Sequence, residues 1–88
     1  MITGTTKSGF EFQVDEMLLD DMNFVELLAE CEESVLALPR TIKYMLGEEG
    51  KKKLYDHCSV DGRVSREKID AETGEIIEFL GKAPETKN

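Results

Sequence analysis

Three places in this 88-residue chain combine residue types that could do chemistry: His57 beside Cys58, the run Asp61-Gly62-Arg63-Val64, and several adjacent carboxylates. An imidazole next to a thiol suggests a metal site or an activated nucleophile. A structural zinc site takes about four ligands, and His57, Cys58 and Cys31 fall short of that number with no matching spacing. Neighbouring side chains on a helix point apart, so His57 is poorly placed to deprotonate Cys58. Both are expected to be structural, with Cys58 a small core residue and His57 near the surface.

Asp61-Gly62-Arg63-Val64 has the acid-glycine-x-apolar centre of a helix-loop-helix calcium loop. Aligning Gly62 with the loop glycine places His57 first, Ser59 third, Asp61 fifth and Lys68 last among the ligand positions. That last position needs a bidentate carboxylate, and lysine brings a positive charge instead. An ordinary turn is the expectation here. The pairs Asp15-Glu16, Glu32-Glu33 and Glu48-Glu49 are numerous, but acid–base catalysis needs a carboxyl group held in a dry cleft, and no pattern marks one. The chain has neither a phosphate-binding glycine loop nor a nucleophile-elbow serine. The residues therefore point to a protein that is not an enzyme and carries no metal or cofactor.

Charge narrows the partners. Eleven basic and nineteen acidic residues leave a net charge of −8, a field that repels phosphate backbones and anionic lipid heads. Neither nucleic acid nor membrane is an expected partner. The one basic run, Lys51 to Lys53, lies next to Glu48 and Glu49, where oppositely charged neighbours support a short helix. No apolar stretch approaches the roughly 18 to 20 residues that span a bilayer. Met1 to Gly9 is polar and lacks the basic and apolar regions of a secretory signal, and the two cysteines have no CxxC spacing. A soluble protein of a reducing cytosol, with free thiols at Cys31 and Cys58, is expected.

The elements that must position these residues follow from periodicity. One modest core is all that a chain of this size can bury, and the reading is a single domain over 1–88 with flexible ends at 1–8 and 82–88. Phe10, Phe12 and Val14 alternate with polar residues and predict a short strand, with residues 1–8 able to supply a second arm. From Leu18 onward the period becomes helical. A short turn over 16–19 and a helix from Asp21 to about Glu33, capped by Asp20 or Asp21, carry Met22, Phe24, Val25, Leu27 and Leu28. Pro39 is suited to a helix start, so a helix over 39–46 is expected after a loose lead-in at 34–38, with Gly47 as its stop. A third short helix over 48–58, a turn at 59–64 and a last helix from Arg66 to about Leu80, capped by Ser65, complete the pattern. Gly74 could break that last helix and Gly81 should end it. The fold class is mainly α, a small helical domain of three to four short helices with an N-terminal strand or hairpin.

The order of these features resembles a known family. Ser8-Gly9-Phe10-Glu11-Phe12 comes first, then Asp20-Asp21 opening Phe24-Val25-Glu26-Leu27-Leu28, then Leu38-Pro39-Arg40 leading to Met45-Leu46-Gly47-Glu48-Glu49. With Asp61-Gly62-Arg63-Val64 and the last amphipathic helix, the chain is similar over nearly its whole length to the small tail assembly chaperones of long-tailed, siphovirus-type bacteriophages of Gram-positive hosts. The resemblance implies a helical protein of the host bacterial cytoplasm. It would coat the long, hydrophobic tape measure protein until tail tube subunits assemble around it, and would be absent from the finished virion. Some members also exist in a longer, frameshifted form.

On this reading the client contact falls on exposed parts of the two apolar stripes, Phe24, Leu27 and Leu28 on one, Ile42, Met45 and Leu46 on the other. These same residues also suit an ordinary core. Self-association into a homo-oligomer stays open. A second reading from another class is a structural or connector component that stays in a virion or similar assembly. A third is a small regulator that inhibits a host protein by acidic mimicry.

Overall fold

A computed structural model of the chain describes residues 1–82. It begins with an antiparallel hairpin of β1 (Ile2–Thr5) and β2 (Glu11–Val14), in which Ile2 faces Val14 and Thr5 faces Glu11. Alternation along β2 turns Phe12 and Val14 inward while Glu11 and Gln13 stay in solvent. Gly4 on β1 is required by packing: a Cβ there would lie 2.6 Å from the Phe12 ring, which meets Phe79 edge-on at 5.1 Å between centroids. Residues 1–8 thus supply, as β1, the second arm that the sequence allowed them.

A single 3₁₀ turn at Leu18–Asp20 leads to α1 (Met22–Glu33). Asp21 caps this helix, accepting from the Asn23 amide at 2.9 Å, which satisfies one of the first-turn donors that a helix leaves unpaired. Its other carboxylate oxygen accepts a hydrogen bond from the hydroxyl of Tyr44, whose ring stacks on Phe24. A second 3₁₀ turn, Val35–Ala37, is capped by Ser34 and runs into α2 (Leu38–His57), which has Pro39 in its first turn.

The separate helices expected over 39–46 and 48–58 are two arms of α2, joined through Gly47. Gly47 has φ 79° and ψ 173°, a conformation open essentially to glycine alone, so the chain changes direction there and resumes the helix at once. The turn expected at 59–64 is a small hairpin, β3 (Ser59–Val60) and β4 (Arg63–Val64). Asp61 and Gly62 both have positive φ, the geometry of the two-residue turn that matches strand twist. Ser65 caps α3 (Arg66–Gly81), and Gly74 does not interrupt it. The segment expected to fray over 82–88 lies, beyond Lys82, outside the described residues.

Phe10, Phe12, Val14 and Leu18 from the N-terminal part meet Phe24 of α1, Ile42, Met45 and Leu54 of α2, and Ile69, Ile76 and Leu80 of α3 in one core. Cys58 closes its edge, 1% exposed, and burial together with the nearby Glu72 carboxylate pushes its thiol pKa up. The fold is mainly α. No helix among the described residues is long and apolar enough to cross a membrane.

Candidate functional site

Two places stand out, one polar and one apolar. The polar one joins three chain-distant residues. Ser8 in the β1–β2 turn lies with its Oγ 2.8 Å from His57 Nε2 and 2.6 Å from Glu72 Oε2. The turn is braced by the Lys7 amide donating to Glu75 at 2.9 Å, and the His57 ring sits 5.4 Å from that of Phe10. Serine, histidine and a buried carboxylate are the residue types of a hydrolase triad, but the connections run in another order. A triad acid orients the histidine, and here Glu72 takes the serine proton itself. A hydroxyl has one proton to give. With that proton on the Glu72 side, His57 Nε2 must donate to Ser8 and has no lone pair with which to activate it. The cluster fastens the hairpin turn to the end of α2 and the middle of α3.

Sequence reasoning missed this cluster, because His57 and Glu72 lie 49 and 64 positions from Ser8 along the chain. One signal was present. Glu72 shares a helical face with Ile69 and Ile76, so a carboxylate was bound to enter the core side of α3. Its Oε1 is buried without a hydrogen-bond partner, as is the Thr73 hydroxyl. No cluster of three or more His, Cys, Asp or Glu side chains placed to hold a metal occurs among the described residues.

The apolar place is the corner between α1 and α2. Leu36, in the 3₁₀ turn, is 83% exposed, and Val35 beside it is 41% exposed. Ser34 dictates this arrangement: it ends α1 with its amide on the Glu30 carbonyl at 2.8 Å and starts the turn with its hydroxyl accepting from the Leu36 amide at 3.2 Å. The turn buries Ala37, half-buries Leu38, and leaves Leu36 pointing outward. On one side of it lies an open groove of 420 Å³ lined by Ala29, Glu30, Glu33, Ser34, Leu36, Ala37 and Arg40. Val35 lines a separate cleft of 240 Å³, formed mostly by apolar groups that include Leu38, Pro39, Tyr55, Val64 and Ile69. Val64 is itself 40% exposed.

The stripes expected to offer the client contact do not present an exposed surface. Phe24, Ile42 and Met45 are core residues, with Phe24 and Ile42 wholly buried. Leu28 and Leu46 are half-buried against that core, and Leu27 is half-buried with its carbonyl near the Thr41 hydroxyl. Helical periodicity identified residues that face protein; the protein they face is their own. Of the exposed apolar side chains, Leu36 and Val35 lie where the periodicity lapses, between two helices, while Met17, Leu19 and Met22 lie around the start of α1 and Val64 on β4. No protein-family model, curated protein or solved structure matches this chain.

Proposed function

We propose that the protein is a tail assembly chaperone of the long-tailed bacteriophage kind, one that holds the hydrophobic tape measure protein in the host cytoplasm by its α1–α2 corner and performs no catalysis. The observation that carries this reading is Leu36, 83% exposed on an open groove and next in the chain to Val35, which lines a second, mostly apolar cleft. Full burial of a leucine is worth about 1.5–3 kcal/mol, so a partner that covers Leu36 gains a contribution of that order. Ridge and clefts together suit the apolar face of a helix. The net charge of −8 would keep a complex with such a client in solution.

Several residues behind the resemblance lie at boundaries or bends of the elements, with Gly9 in the first turn, Asp21 capping α1, Pro39 opening α2, Gly47 bending it and Asp61-Gly62 turning the second hairpin. They determine where the corner falls. Coexpression with the tape measure protein encoded beside it, followed by affinity capture and sizing, tests the proposal. Capture of several copies per client, with the client soluble only in their presence, is the expected result. A monodisperse protein that leaves the client insoluble would refute it and favour a permanent assembly component.

A further inference from the structure

The chemistry of the segment that docks at this corner can be taken one step further, on the assumption that the corner is the docking site. The last turn of α1 contains Glu30, Glu32 and Glu33 and no basic residue. A helix C-terminus carries unpaired carbonyls and the negative end of the helix dipole, so acidic side chains there are unfavourable and cations favourable. Arg40 relieves Glu30 by pairing with it, and Arg66 is engaged by Asp70 at 3.5 Å. Glu32 and Glu33 have no ion pair among the described residues. Both border the Leu36 corner, Glu33 on the 420 Å³ groove and both on an adjoining cleft of 250 Å³ that also contains Val35 and Leu38. The local sequence thus opposes its own helix end beside the most exposed leucine of the chain. A partner that brings positive charge to this helix end would relieve the conflict.

We infer that the α1–α2 corner takes a basic amphipathic helix, one whose apolar face covers Leu36 and Val35 while lysine or arginine residues flanking that face meet Glu32 and Glu33. Apolar burial supplies the bulk of the affinity, and the carboxylates select the partner's charge and orientation.

The test uses the full-length protein and three synthetic helices that share one leucine face and differ only in the flanking residue: lysine, glutamine or glutamate. Binding is read by fluorescence anisotropy with the wild type, with Leu36→Ser and with the double variant Glu32→Gln/Glu33→Gln, after circular dichroism has shown the fold unchanged. The lysine helix is expected to bind the wild type about three- to tenfold tighter than the glutamine helix, with the glutamate helix weakest. The double variant should abolish that ranking without abolishing binding. Leu36→Ser, which leaves the charge constant, should weaken all three.

Equal binding of the lysine and glutamine helices, or a ranking that survives the double variant, overturns the inference and leaves the client-holding proposal standing. If Leu36→Ser binds the lysine helix as well as the wild type does, the attraction is diffuse surface charge and the inference falls. Binding of none of the three would remove both the inference and the corner as a helix site.

Discussion

The Arg40 guanidinium reaches back across the α1–α2 corner to the Glu30 carboxylate. On the inner side of the same corner Thr41, 1% exposed, donates its hydroxyl to the Ala37 carbonyl at 2.9 Å and lies 3.0 Å from the Cys31 sulfur. The turn carrying Leu36 is therefore held on both sides, and its shape does not depend on the side chain it exposes. The two fastenings should differ in strength. Arg40 and Glu30 are both more than half exposed, so Arg40→Ala should cost well under about 1 kcal/mol in urea denaturation. Thr41→Val should cost about 1 kcal/mol, because the Ala37 carbonyl loses an extra buried donor.

Stability separates the corner from the stripes. Leu36→Ser should leave unfolding within about 0.5 kcal/mol of the wild type, because the side chain is exposed and Leu36 enters the Ser34 cap only through its backbone amide. Phe24→Ala should cost about 3–5 kcal/mol, enough to unfold much of a small domain, since Phe24 is fully buried and stacked on Tyr44. If Phe24→Ala were well folded and failed only in binding, the assignment of Phe24 to the core would be wrong.

The Ser8–Glu72 bond is expected to be structural. Ser8→Ala removes the only donor among the described residues to a carboxylate whose other oxygen lacks a partner there, at a cost of about 1–3 kcal/mol. Glu72→Leu supplies an apolar side chain of similar reach, and in that background Ser8→Ala should cost far less. A double-mutant cycle by thermal denaturation measures this coupling. Additive losses would show that the two side chains do not interact.

Acid should destabilise the fold through named groups. Hydrogen bonding to a backbone amide and to the Met1 ammonium, 3.1 Å away, holds the Glu16 pKa below its ordinary value, and a bond from Lys43 at 3.0 Å does the same for Glu48. The folded state then binds these protons less readily than the unfolded chain, so stability falls as pH drops. Their contribution is complete above the ordinary glutamate pKa and is lost as pH falls through the lower folded values. Denaturant titrations on acidification should show this decline, and Lys43→Ala should flatten it. Cys58 has the opposite sign. Its raised pKa makes the folded state hold the thiol proton longer, so this contribution is present below the ordinary cysteine pKa and is lost as pH rises through the folded value.

The elements that could be read from sequence are those with a local cause. Asp21 and Ser65 cap helices, Pro39 opens one, and β2 alternates, because each effect is decided within a few residues. Gly47 shows the limit: glycine after an apolar run suits a helix stop as well as a kink, and only packing of both arms against one core decides for the kink. Gly74 could break α3 on propensity alone, yet the core contacts of Ile69, Ile76 and Leu80 on either side outweigh that weak propensity. The site was less legible. Phe24, Ile42 and Met45 have the periodicity of any buried face, which cannot say whether the neighbouring surface belongs to the same chain. Leu36 belongs to no periodic stripe, and its exposure follows from the tertiary course of the corner.

The most direct test of the proposed client contact is capture of the coexpressed tape measure protein by Leu36→Ser beside the wild type, with both shown to be equally folded. The account predicts that the wild type keeps the client soluble and co-elutes with it, while Leu36→Ser leaves it in the insoluble fraction. Undiminished capture by Leu36→Ser would contradict it and remove the α1–α2 corner as the place where a client is held.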